Sequence, residues 1–313
     1  MQPEMIYIYE VYRTGSFSKA AANLYLSQPA LSIAVKKVEK EIGMPLFDRS
    51  HQPLQLTEAG RIYIKKILKI KLLEGDMANE LQDIANLATG ELHIGGTQYF
   101  NSYVMPAIIK KYIHYYPHIN ISLLEDNSGL LDDKLADGSV DIMFHCGKFD
   151  EKSFAGAKIF EDHLLLAVHK ELLKDKEIAI QGLTAGQVQK NEFEEKDCPI
   201  VPLKIFAAMP FLILTKSNNL RERALNICRS AGFTPKVRFY VEQLETSYHL
   251  ACHGLGAAFV SDRMVKEHSP QDMLYYKLTN EEADRCFQAI TRKNGYMSHA
   301  MRRFIELART IWL

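Results

Sequence analysis

Apolar residues near the start of the chain recur in helical steps. Leu31, Val35, Val38 and Ile42 lie four, three and four apart, which places them on one face of a helix. The opposite face carries Gln28, Ser32, Ile33, Lys36, Lys37 and Lys40. Ser27 is suited to cap this helix, Pro29 falls in its first turn where no N–H is missed, and Gly43 is placed to end it. Just upstream, Ala20, Ala21 and Ala22 stand between Phe17 and Leu24, so a short helix with a small-residue surface can pack closely on a neighbour. Two helices joined by a tight turn, the second polar and basic outside, predict a helix-turn-helix. Residues 44–60 then read as a short hairpin or wing. Leu46, Phe47, Leu54 and Leu56 anchor it, Arg49, Ser50, His51 and Gln52 form its tip, and Thr57 caps the next helix.

That next helix is predicted from Glu58 to about Ala88. Tyr63, Ile67, Ile70, Met77, Leu81, Ile84 and Ala88 fall on steps of four and three, broken only at Glu74. Such a stripe describes a coiled-coil seam, and a helix of about thirty residues spans roughly 45 Å. It needs a partner.

Beyond it the pattern changes to short apolar runs alternating with helical stretches. Strands are expected at 89–96, 119–125, 140–145, 162–169, 211–214, 237–241 and 257–261, with helices over 103–115, 129–137, 220–231 and 244–253. This alternation predicts βαβ units and an α/β body with parallel strands.

Composition narrows the function. The chain has no net charge, yet residues 1–73 hold eleven basic and six acidic side chains, a net +5 that the rest of the chain balances. A compact basic head suits a polyanion. No run nears the ~18 apolar residues of a membrane span, and the N-terminus lacks a signal-peptide pattern. The five cysteines form no CxxC pair, so free thiols and a cytoplasmic location are expected. Gly-x-Gly at 254–256 lacks the pattern of a nucleotide loop, no metal-ligand spacing occurs, and no nucleophile elbow or paired acid and base is present. The expectation is no cofactor, no metal and no enzyme activity.

The stretch "SFSKAAANLYLSQPALS...VEKEIGMPLFDRS...LTEAG" closely resembles the winged helix-turn-helix of LysR-type transcriptional regulators. The resemblance implies a winged helix-turn-helix DNA-binding domain over 1–58, a dimerisation helix over 59–88, and a two-lobed, periplasmic-binding-protein-like effector domain over 89–313. Lobe I would take about 89–162 and 268–313, and lobe II about 163–267. It implies double-stranded DNA, RNA polymerase and a small effector, often a carboxylate and so an anion, as partners. It also implies a homodimer through the long helix, and a homotetramer beyond it.

DNA contacts are expected from Ser27, Gln28, Pro29 and Ser32 at the groove-entering end of the second helix, and from Arg49 in the wing. Ile33 stands where family members often carry arginine; it would pack on a thymine methyl or sugar, or else cover a helix seam. Lys36, Lys37, Lys65 and Lys66 are expected to hold phosphates.

In such sheets ligands lie at the carboxyl ends of strands, beside helix N-termini. That rule selects Thr97, Gln98, Asn101, Asn127, Ser128, His145 and Cys146 from one lobe, and Thr215, Lys216, Ser217 and Thr246 from the other. Residues 170–210 are longer than the family leads one to expect, and an insertion there would cover the cleft mouth or meet another subunit. A second reading keeps the scaffold but makes it a redox-responsive regulator, with Cys146 beside His145 or Cys252 beside His253 as the reactive thiol.

Overall fold

The computed structural model describes residues 1–51, 53–84, 89–173, 176–216, 218–268 and 270–312. The chain divides into two compact units, Met1–Asn86 and Leu87–Leu313.

The first unit opens with helices α1 (Pro3–Thr14), α2 (Phe17–Asn23) and α3 (Gln28–Ile42). A small hairpin follows, β1 (Phe47–Asp48) paired antiparallel with β2 (Gln55–Leu56), and then helix α4 (Glu58–Ile84). The four-three-four stripe faces inward as its spacing demands: Leu31, Val35 and Val38 are buried with Ile8, Val11, Ala20 and Ala21, and Ile42 is partly buried against them. Burying each larger side chain contributes about 1.5–3 kcal/mol. The capping signals are used as well. The Ser27 hydroxyl accepts from the Ala30 N–H at 3.3 Å, and Gly43 takes the left-handed conformation, φ 77°, that closes α3. Thr57 accepts from the Gly60 N–H at 3.0 Å to start α4.

The second unit begins with β3 (Gly90–Gly96), α5 (Gln98–Tyr103), α6 (Met105–Tyr115), β4 (Ile119–Glu125), α7 (Ser128–Ala136) and β5 (Ile142–Cys146). Strand β3 lies between β4 and β5 and is parallel to both. Strand β6 (Phe154–His169) leads into the second lobe, where α8 (Lys176–Ile180), α9 (Ala185–Gln189), β7 (Pro210–Leu214), α10 (Asn219–Ser230), β8 (Lys236–Val241), α11 (Leu244–Cys252), β9 (Ala257–Ser261), α12 (Asp262–Glu267) and β10 (Met273–Lys277) follow. There β7 is parallel to β8 and β9. Strand β11 (Asp284–Arg292) and helix α13 (His299–Trp312) complete the chain.

The sheet is mixed rather than purely parallel, because β6 and β11 run antiparallel to their neighbours. Strand β6 also starts eight residues before the apolar run at 162–169. Its first part, Phe154 to His163, pairs with β11, and its last part, Leu164 to His169, pairs with β9 and β10. One strand thus passes through both lobes. The return to the first lobe comes later than residue 268: β10, with Met273, Leu274, Tyr275 and Tyr276 all buried, pairs with the lobe II end of β6, and β11 is the returning strand.

The described residues among 170–210 do not line the cleft. They pack on the outside of lobe II, where Leu183 bridges Tyr275, the Tyr276 hydroxyl donates to the Ile178 carbonyl at 3.1 Å, and Val188, Phe193, Val201 and Phe206 are buried. These buried residues are core material and hold the segment against β10 and α12, while Ile180, Ile200 and Ile205 stay exposed.

Candidate functional site

Helix α3 turns its apolar stripe inward and leaves Gln28, Pro29, Ile33, Lys36 and Lys37 exposed, with Ser32 half-buried. Ile33 is 69% exposed, so it seals no helix seam. Ser27 is exposed too, although its hydroxyl already serves as the cap. Lys65 and Lys66 stand free on the outer face of α4. The turn between α2 and α3 contributes a residue that pattern reading passed over. Tyr25 is 97% exposed and left-handed, φ 56°, a conformation that costs a residue with a Cβ about 1–2 kcal/mol.

Arg49 is not a free cation of the wing. Its guanidinium donates to Glu39 Oε2 at 3.0 Å and lies 4.9 Å from the centre of the Phe17 ring. The other oxygen of Glu39 accepts from the N–H groups of Leu46 and Phe47, at 2.8 and 3.3 Å. Glu39 therefore fastens the wing to α3, and Arg49 completes the clamp. Gln52 at the tip lies outside the described residues.

Helix α4 changes character along its length. Ile64 and Ile67 are buried in the first unit, which makes Ile67 a core residue rather than a seam residue. Leu73, Met77, Leu81 and Ile84, at steps of four, four and three, are largely exposed. An apolar stripe limited to the second half of the helix has no cover within the unit. Ala88 lies outside the described residues.

In the second unit a cavity of about 400 Å³ opens between the lobes. From lobe I come Thr97, Gln98 and Tyr99 at the start of α5, Glu125, Asp126 and Asn127 between β4 and α7, and Phe144, His145 and Cys146 at the end of β5. Lobe II adds Asn218, Asn219 and Leu220 at the start of α10 and Glu242, Gln243 and Leu244 at the start of α11. Arg285 and Phe287 of β11 form the floor.

Five of the expected cleft residues, Thr97, Gln98, Asn127, His145 and Cys146, do line it. Asn127 also caps α7, accepting from the Leu130 N–H at 3.2 Å. The side chain of Ser128 and all of Ser217 lie outside the described residues. Asn101 points away: its amide reaches the Leu124 carbonyl at 3.4 Å, and it lies so close to Gly96 that a Cβ there would meet its Oδ1 at 2.6 Å. Thr215 and Lys216 fall short because α10 begins only at Asn219. The Thr215 N–H is held by the Val241 carbonyl at 2.9 Å, and Lys216 faces a different surface hollow with Arg221 and Arg229. Thr246 sits exposed two residues inside α11, whereas Gln243 at its start meets the cleft. The asparagine pair at 218–219 is a helix-start signal that could have located these contacts. A lone arginine on a strand carries no such signal.

Arg285 is nonetheless the centre of the floor. It donates to Asp162 Oδ1 at 2.7 Å and to Oδ2 at 2.5 Å, directly across the β6–β11 ladder. Asp162 Oδ2 also accepts from the Tyr99 hydroxyl at 2.6 Å and the Ser261 hydroxyl at 2.9 Å. Burial works against the guanidinium charge, and the Asp162 carboxylate more than restores it, so Arg285 stays cationic. Burial likewise drives Tyr99 well above its ordinary value. These four groups come from β6, β9, β11 and α5, at the place where β6 changes lobes.

Direct bonds also cross the cleft. Gln98 donates to Glu245 Oε2 at 2.7 Å, the Tyr103 hydroxyl donates to Glu245 Oε1 at 3.1 Å, and Asn219 donates to the Cys146 carbonyl at 2.9 Å. Burial and the Glu245 carboxylate together raise Tyr103 to about 12. His145 is pushed below 6.5, first by burial, with Asp132 and the Lys148 backbone opposing and Arg223 assisting, so the neutral imidazole is favoured.

Burial raises Cys146, and raises Cys252 to about 11, so neither is held as a thiolate by its neighbouring histidine. Among the described residues no cluster suited to a metal occurs, and no helix is long and apolar enough to cross a membrane.

Comparison with known proteins agrees with these two units. The family model for the bacterial regulatory helix-turn-helix protein, lysR family, matches residues 4–61, and that for the LysR substrate binding domain matches 85–187 and 193–312. The break at 188–192 is all that interrupts the match in the segment expected to hold an insertion. An uncharacterized HTH-type transcriptional regulator of Bacillus subtilis, YcgK, is 29% identical over 305 residues, covering 97% of this chain and 93% of that protein. A probable RuBisCO transcriptional regulator of Gracilaria tenuistipitata is 27% identical over 309 residues, covering 97% and 94%. The crystal structure of full-length CbnR complexed with its target DNA superposes with a TM-score of 0.63 at 19% identity, covering 98% of each chain. The chain therefore belongs to the LysR family: it is a DNA-binding transcriptional regulator with a LysR substrate-binding domain, and not an enzyme.

Proposed function

We propose that the chain works as a dimeric, effector-controlled regulator, in which residues 1–58 bind DNA, 59–88 pair two subunits and 89–313 sense a small molecule. Helix α3 enters the major groove. Gln28, Pro29 and Ser32 face base edges there, and Ile33 contacts a thymine methyl or sugar. Lys36, Lys37, Lys65 and Lys66 take phosphates and fix register. Arg49 acts by holding the wing in place.

The exposed stripe of Leu73, Met77, Leu81 and Ile84 covers its partner in a second copy, and so sets two heads on successive half-sites. Assembly to a tetramer and contact with RNA polymerase, in the cytoplasm, complete the reading. An effector in the 400 Å³ cleft shifts the balance between lobe arrangements and thereby the spacing of the heads. The observation that carries the proposal is α3 itself: one helix turns its apolar stripe inward, with Leu31, Val35 and Val38 buried and Ile42 partly buried, and leaves its polar and basic face largely exposed.

Capture of sheared genomic DNA by the full-length protein, followed by sequencing, tests it. Sharp peaks with a dyad of half-sites are expected. Flat retention that vanishes with salt, with or without candidate effectors, would overturn sequence-specific recognition.

A further inference from the structure

The charges of the cleft do not suit the small carboxylate that the family resemblance brings to mind. Three lining residues are acidic, Glu125 and Asp126 in lobe I and Glu242 in lobe II. Asp126 is partly neutralised by Lys134, whose Nζ lies 3.1 Å away. No described side chain pairs with Glu125 or Glu242. The one guanidinium of the lining, Arg285, is already satisfied by Asp162, and His145 favours its neutral form.

The remaining polar lining is mostly amide. Among these amides, Gln98 gives its nitrogen to Glu245 and leaves Oε1 buried with no hydrogen-bond partner. A buried acceptor without a donor costs free energy that an incoming N–H can recover. The cleft thus offers unpaired negative charge from both lobes and an orphaned acceptor, and no uncommitted lysine or arginine lines it among the described residues.

We propose that the effector carries a protonated amine, as an amino acid or a small diamine does. The proposal rests on the reading of this cleft as the effector site. The ammonium binds among Glu125, Glu242 and Gln98 Oε1. Amino-acid carboxylates have a separate place at the start of α11, where Gln243 leaves the first-turn N–H groups without a side-chain cap. With the cleft empty, the like charges of Glu125 and Glu242 oppose closure. An ammonium bound between the lobes removes that repulsion and joins them, which couples occupancy to lobe position.

The test is thermal unfolding and calorimetric titration of the full-length protein against two matched sets. One holds the common amino acids with ethylenediamine and putrescine; the other holds amine-free acids, namely succinate, 2-oxoglutarate, citrate and benzoate. A member of the first set is expected to bind saturably and raise Tm by about 2–4 °C, with no member of the second doing so. Combining Glu125→Gln and Glu242→Gln should weaken that binding by about tenfold or more, and the combined variant's own unfolding transition shows that it is folded.

Saturable binding by an amine-free acid, or no binder in the first set, overturns the amine assignment. Amine binding that the paired glutamine variant leaves unchanged overturns it as well. Asn219→Trp fills the cleft, so a compound that still binds this variant is held elsewhere. That result removes the effector reading itself rather than only the chemical class.

Discussion

On α3 the proposed DNA-contacting groups fall within one short stretch, from Ser27 to Lys37, and almost all of them face outward with no structural duty. In the cleft the lining groups arrive from the starts of α5, α10 and α11, the link between β4 and α7, and the ends of β5 and β11, and several are also part of what holds the unit together. Arg285 is cleft floor and half of a buried ion pair. Asn219 is cleft wall and a bond between lobes. A surface that reads DNA can be changed without touching the core, whereas a cleft that reads a small molecule cannot be changed so freely. The difference predicts where function and stability separate.

The largest effect is expected at the floor. Asp162→Asn leaves the Arg285 charge buried without its counter-ion and should cost about 3–5 kcal/mol, read as a lower urea midpoint for the second unit. A midpoint like the parent's would mean that the floor is not the structural joint described here.

A second contrast lies within α4. Ile67→Ala should cost about 2–5 kcal/mol, because it empties a packed site of the first unit. Leu81→Asp should leave that unit folded and shift sedimentation from dimer towards monomer. A dimer that survives Leu81→Asp together with Met77→Asp would place the subunit contact elsewhere.

On α3 the variants should divide by role at little cost in stability. Gln28→Ala should lose about 1–3 kcal/mol of discrimination between operator and altered operator. Lys36→Ala should weaken binding to all DNA and reduce the log–log salt slope by about 0.9. Equal behaviour of the two in salt-series binding assays would erase the distinction between reading and positioning.

The smallest effect concerns pH. The folded-state pKa of His145 lies below 6.5, so its contribution to stability is intact above that pH and is lost as pH falls towards the folded value, where the unfolded chain binds the proton first. Denaturation at pH 7 and pH 5 should show a loss in the parent that His145→Gln reduces. An unchanged difference between the two pH values would remove His145 from the account.

The degree to which each site could be read in advance follows from how it is built. Ser27, Pro29, Gly43 and the four-three-four stripe are local signals, and the structure uses each of them where the sequence puts it. Periodicity alone places Ile67 in the seam, because it cannot say which part of a long stripe meets its own unit. The clamp on Arg49 is not legible in the sequence because its partners, Glu39 and Phe17, are distant in the chain. In the cleft, the strand-end rule found Thr97, Gln98, Asn127, His145 and Cys146. It placed the α10 contacts a few residues early, at Thr215 and Lys216, and it had no means of finding Arg285.

The sequence by itself determined the helix-turn-helix, the long helix, the α/β alternation and the free thiols, since caps, periodicities and motif order act over a few residues. The tertiary structure alone decided that β6 runs through both lobes, that Arg285 meets Asp162, that Glu39 holds the wing, and that acidic rather than basic charge surrounds the cleft. These depend on pairing between strands and helices far apart in the chain, and pairing is settled by the packing of the whole unit.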